Sequence, residues 1–125
     1  MQNMENKIKT FRDLYSWSEG HKLVLMIYKI TKTFPKNETF ALVDQIIRAV
    51  VSITSNIAEG FGRHGIKEKI QFYYLAQASL SEVQNQIIIA KDVEYINDSL
   101  FNEIWNQTIT VHKLLTGLIK SLKRV

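Results

Sequence analysis

The chain has no cysteine in 125 residues. That excludes disulfides, thiolate metal sites and cysteine nucleophiles together, and it suits a reducing cytoplasm. One proline and five glycines leave no linker or low-complexity segment. The longest unbroken apolar run is Leu23-Val24-Leu25-Met26-Ile27-Tyr28, far short of a bilayer span, so no membrane role is expected. Residues 1–10 are polar and lack the apolar stretch of a secretory signal. They read as a flexible basic arm on a single domain spanning residues 1–125, and a cytoplasmic location is the expectation. Strand signals are missing too, because no run alternates apolar and polar residues.

What is present is helical periodicity. The apolar fraction is 46% and the charged fraction 22%, an ordinary globular balance. Four helices can be read. The first runs from an N-cap at Asp13 to Phe34, stopped by Pro35. The second runs from Glu38 to Phe61, with Gly60, Gly62 and Gly65 as stop and turn. The third spans Ile66 to Val93. The fourth follows Asn97-Asp98-Ser99 and ends near Leu122. Each has an apolar stripe. They are Leu14, Trp17, His21, Val24, Leu25 and Tyr28; Ile46, Val50, Ile53, Ile57 and Phe61; Phe72, Ala76, Leu80, Val83, Ile87 and Ala90; and Phe101, Ile104, Val111, Leu115, Leu118 and Leu122. Four long helices with short connections predict an all-α, antiparallel up-down-up-down four-helix bundle. Leu23, Ile27, Ile30 and Phe34 form a second stripe on the first helix, and Trp105 lies off the core face of the fourth. These five are expected to be oligomer contacts.

The second helix is the most informative. Arg48, Ser52, Ser55, Asn56, Glu59 and Arg63 fall within about a third of its circumference. Solvent-facing helix surfaces are usually rich in lysine and glutamate. This stripe is mostly small hydroxyls and an amide, which suits close approach by another helix. Arg48 and Glu59 lie roughly 16 Å apart along the axis, so they cannot pair within the helix. Each is expected to meet a neighbouring helix or subunit, with Glu82 as a third member of an assembly or structural polar network.

No catalytic constellation emerges. Di-iron bundles need two Glu-x-x-His pairs, and neither His21, His64 nor His112 has Glu three residues earlier. Three scattered histidines without cysteine do not make a zinc site. An Arg followed four to six residues later by His, as in bundle ribonucleases of the HEPN type, is absent. Gly60-Phe61-Gly62-Arg63-His64-Gly65 follows a helix rather than a strand, so it fits neither phosphate-binding fingerprint. No enzyme activity, cofactor or metal is expected. His21, on the apolar stripe, reads as a hydrogen-bonded core residue.

The residues resemble a known family: bacterial four-helix-bundle proteins encoded by intervening sequences within 23S rRNA genes, of ribosomal-protein-like description. The accessory variability determinant of diversity-generating retroelements is a relative. The match begins at Phe11-Arg12-Asp13-Leu14 and Trp17, and passes through Ile27-Tyr28, Phe34-Pro35, Glu38 and Leu42. It is densest at Gln45-Ile46, Arg48-Ala49, Ser52-Ile53 and Asn56-Ile57-Ala58-Glu59-Gly60, with Arg63. It resumes at Phe72, Ala76, Ser79-Leu80 and Glu82. The chain departs from the pattern at Thr54, Ile47 and Ala78, where the family often has proline, arginine and glycine. The resemblance implies an antiparallel bundle and a ring-shaped homopentamer. For the retroelement relatives it implies a basic surface that engages RNA or DNA and a reverse transcriptase. For the intervening-sequence proteins it implies no established activity.

Charge then acquires a direction. Sixteen Lys and Arg against twelve Asp and Glu give +4, with a pI near 9.3. An up-down-up-down bundle gathers residues 7–13, 60–69 and 118–125 at one end. There Lys7, Lys9, Arg12, Arg63, Lys67, Lys69, Lys120, Lys123 and Arg124 face only Asp13 and Glu68, a balance of +7, with His64 beside them. Residues 32–38 and 91–103, at the other end, balance to −2. In a ring the basic ends share one rim, which would bind phosphates with steep salt dependence. The leading expectation is a non-enzymatic, nucleic-acid-associated accessory protein. The rival is an interaction scaffold for an acidic protein partner, with no nucleic-acid role.

Overall fold

The computed structural model describes residues 7–124, so the first six residues of the expected basic arm and Val125 lie outside the description. The described chain opens with a 3-10 turn, Phe11–Asp13. Thr10 and Asp13 form a capping box around it. The Thr10 hydroxyl accepts from the Arg12 N–H (3.2 Å), and the Asp13 carboxylate accepts from the N–H groups of Thr10 (3.0 Å) and Lys9 (2.9 Å). Those two hydrogen bonds hold the Asp13 carboxyl below its usual pKa. Asp13 therefore closes the turn rather than capping the first helix.

Four α-helices follow, and the described residues contain no strand. They are α1 (Tyr15–Thr31), α2 (Asp44–Phe61), α3 (Ile66–Asp92) and α4 (Asp98–Lys123). A 3-10 turn at Lys36–Glu38 and a π-helical turn at Thr39–Val43 lead directly into α2. The Asn97 side chain caps α4, accepting from the Leu100 N–H (2.8 Å). Helix α2 packs on α1 and α3, α3 packs on α2 and α4, and α4 closes against α1. This is a bundle around one core, whose fully buried members include Leu23, Ile27, Ile53, Leu80, Ile87 and Leu115. The run Lys36–Phe61 is long and apolar enough to cross a bilayer. Here its Ile46, Val50, Ile53 and Ile57 are buried in the core, while Asp44, Arg48 and Glu59 lie on its exposed side.

Helix α1 is rotated from the expected orientation. Leu23, Ile27, Ile30 and Phe34, expected as oligomer contacts, are buried in the core of their own chain. Leu25 (57% exposed), Tyr28 (45% exposed) and His21, expected inside, are outside. Either stripe supplies a helical apolar face, and Gly20 decides between them. It is buried, and a Cβ there would stand 3.2 Å from the Thr54 methyl group. The bare side of α1 is thus the side that approaches α2. His21 stacks on Trp17 at the surface, with ring centroids 4.9 Å apart. Trp105 is half-buried against its own core and stacks on Phe101 (5.6 Å).

Gly60 also has a role other than the expected helix stop. It lies within α2, where a Cβ would come within 2.8 Å of the Tyr73 ring and 2.9 Å of the Phe72 Cβ. Glycine there lets α2 and α3 pack closely. No glycine among the described residues adopts a positive φ; Glu94 does, at 66°, just after α3. It ends that helix as glycine usually does, with the Tyr95 N–H bonded back to the Ala90 carbonyl (2.8 Å).

Candidate nucleic-acid interface

The polar stripe of α2 divides into two parts. Ser52 and Asn56 turn toward α3. The Asn56 amide donates to the Ser52 carbonyl (2.9 Å) and hydroxyl (3.0 Å), and the buried Ser79 hydroxyl donates to the Ser52 hydroxyl (2.9 Å). Arg48 and Glu59 stay on the surface and pair with residues four positions away along the chain. Arg48 pairs with Asp44 (3.2 Å), and Glu59 with Arg63 (3.3 Å). Both are i,i+4 pairs between exposed groups, and such pairs contribute on the order of 0.3–0.5 kcal/mol. The expected meeting of Arg48 and Glu59 with Glu82 does not occur within this chain. Glu82 and Ser55 are both exposed.

The basic residues also sort themselves. Lys69 is turned inward. Its ammonium donates to the carbonyls of Phe61 (2.7 Å) and Gly60 (3.5 Å). It neutralises the last carbonyls of α2, where the helix dipole is negative. Arg63 is held over the Phe72 ring (4.7 Å), and Lys123 donates to the Tyr74 hydroxyl (2.6 Å). Both still have donors facing solvent. Lys7, Lys9, Arg12, His64, Lys67, Lys120 and Arg124 are exposed. Lys7 shares a groove with Lys113 and Gly117 of α4, which brings the chain start beside the later part of that helix.

The turns before α2 and after α3 are tied differently. The Tyr95 hydroxyl donates to the Glu38 carboxylate, whose other oxygen accepts from the Leu42 N–H (3.4 Å). Bonding to Glu38 raises the Tyr95 pKa. Sequence reasoning missed this link, because nothing local marks residues 57 positions apart as partners. It also missed the polar bonds from Gln77 to Thr116 (3.1 Å) and Gln84 to Thr108 (3.0 Å) that join α3 to α4. It also missed the capping box, reading Asp13 as a helix cap although the spacing Thr10-x-x-Asp13 carries the box's signature.

The described residues contain no group of three His, Cys, Asp or Glu side chains placed to hold a metal. A helical bundle with a polar inter-helix seam and one strongly basic set of termini defines the class. A family model of the 23S rRNA-intervening sequence protein matches residues 12–117, and the chain belongs to that family. It is also similar to the crystal structure of a protein of unknown function from the S23 ribosomal protein family of Bacteroides thetaiotaomicron VPI-5482. The TM-score is 0.78 at 23% identity, over 84% of this chain and 98% of that one. At this identity the likeness speaks to fold. No curated protein matches.

Proposed function

We propose that this protein is a non-enzymatic, oligomeric accessory protein that binds nucleic acid through the basic end of an up-down-up-down bundle. Cross-helix contacts support the topology. Gly20 lies against Thr54, Glu38 bonds Tyr95, and Ser52 bonds Ser79. Gln84 bonds Thr108 and Gln77 bonds Thr116. Along each neighbouring pair with two or more links, residue numbers rise on one helix as they fall on the next. The chain start, the α2–α3 turn and the end of α4 then lie together. The observation that carries the binding reading is the +7 balance of those three segments against −2 at the other end.

Self-association rests on exposed apolar residues in two places. Leu25 and Tyr28 stand on α1, and Tyr74, Leu75, Ile88 and Ile89 on α3. These helices are diagonal in the bundle, so their outer faces point in opposite directions. Two unlike patches on opposite sides suit head-to-tail contacts, which generate rings when the rotation closes. The family resemblance implies five copies.

The test is a salt titration of binding to a structured RNA fragment. Phosphate binding weakens as a power of salt concentration, with a slope set by the number of contacts. Replacing Lys67 or Lys120 with Gln should each lower the slope by about one. An oligomer that ignores RNA at low salt would refute the reading and favour the protein scaffold.

A further inference from the structure

A groove of about 610 Å³ lies between the start of α1 and the later part of α4. Its composition is mixed. Ile8, Leu14, Leu114 and Leu118 form apolar walls, and Lys7 and Lys113 bring two cations. Gly117 faces open space, with nothing within 4 Å of where a Cβ would stand. Helix α1 begins here without a cap, since Leu14 occupies the N-cap position and offers no side-chain acceptor. The first N–H groups of a helix have no intrahelical partner and carry partial positive charge. Ser16 lies in the same lining. It is 4% exposed, and its hydroxyl oxygen has no hydrogen-bond partner. A buried hydroxyl without a partner is costly, and its presence at an uncapped helix start points to a missing polar group. Tyr15, a residue 77% exposed, completes the groove.

We propose that this groove seats one nucleotide of a single strand, with its phosphodiester at the α1 N-terminus and its base stacked on Tyr15. The charge fits that occupant. Lys7 and Lys113 oppose one carboxylate, Asp13, which is already bonded to the Lys9 and Thr10 N–H groups. The local balance of one positive charge matches a phosphodiester monoanion. The apolar walls suit a base better than bare phosphate, and aromatic stacking accepts any base. Lys9, Arg12, Lys120 and Arg124 are exposed on the neighbouring segments and would meet the adjoining phosphates. This inference rests on the nucleic-acid reading above and assigns that basic end a base-contacting position.

The test is fluorescence anisotropy with a labelled short oligouridylate and an abasic strand carrying the same number of phosphates. The wild-type chain should bind the oligouridylate more tightly than the abasic strand. Tyr15→Leu should remove that preference, about tenfold in affinity, and leave the salt slope unchanged. Lys113→Gln should instead lower the slope by about one for both strands. Ser16→Ala should keep or raise the melting temperature and weaken oligouridylate binding several-fold. A Ser16→Ala protein that melts earlier and binds unchanged would make the hydroxyl structural and overturn its role in the site. Equal binding of both strands, or a preference that survives Tyr15→Leu, would overturn the groove as a base site while leaving the basic end intact. Binding of neither strand at low salt would overturn both readings. So would capture of a peptide through its terminal carboxylate when neither strand binds, and the occupant would then be a protein.

Discussion

Two single residues set local geometry that their neighbours cannot. Gly60 permits the close approach of α2 to the Phe72–Tyr73 region of α3. Gly60→Ala should therefore destabilise the chain by about 1–3 kcal/mol, the usual cost of overpacking, despite alanine's better helix propensity. A thermal melt that rises would contradict this packing role. Glu94 holds a left-handed conformation after α3. A glycine there removes Cβ strain, so Glu94→Gly should stabilise by about 1 kcal/mol in a denaturant melt. Loss of stability on that change would mean the Glu94 side chain does something beyond ending the helix. The sequence singled out Gly60, but for the wrong reason. A glycine near a helix end reads as a stop, and close packing by a distant helix leaves no local signal.

At the scale of the element, the legible parts were those with one apolar face. The stripe of α2, from Ile46 to Ile57, is buried as its spacing predicts. So is that of α3 from Ala76 to Ala90. Helix α1 has apolar residues nearly all round, so periodicity oriented it only in part: Leu14 and Val24 are buried as expected, whereas His21, Leu25 and Tyr28 are exposed. Its correction is directly testable. Ile27→Ala should cost about 2–5 kcal/mol of folding stability, whereas Leu25→Ala should change monomer stability little and weaken assembly. Equal losses on folding would restore the opposite orientation. The hydrogen bond between Tyr95 and Glu38 makes a pH prediction for the turns before α2 and after α3. Because the folded-state pKa of Tyr95 is raised above 10.0, its contribution is full below that value and is lost as pH rises through the folded pKa. Tyr95→Phe should flatten the loss of stability above about pH 10 in melts compared across pH. An unchanged alkaline profile would mean the bond is not maintained in solution.

For the whole molecule, charge and apolar surface are distributed along different directions. In the proposed up-down-up-down topology the basic segments concentrate toward one end of the bundle axis. The exposed apolar residues lie on its sides, on α1 and α3. A ring built through the sides would leave the basic ends together on one face, and five copies of +4 carry +20. Composition revealed the net charge, and the helical reading revealed which segments carry it. It could not show that Lys69 caps α2 or that Lys123 rests on Tyr74, because both contacts depend on helix packing. The most direct test is light scattering coupled to size exclusion, with and without a structured RNA fragment, at low and moderate salt. The expected result is a pentamer whose mass increases with RNA at low salt and returns to the free value as salt rises. A monomer would contradict the side-to-side assembly, and an oligomer indifferent to RNA at low salt would contradict the nucleic-acid function.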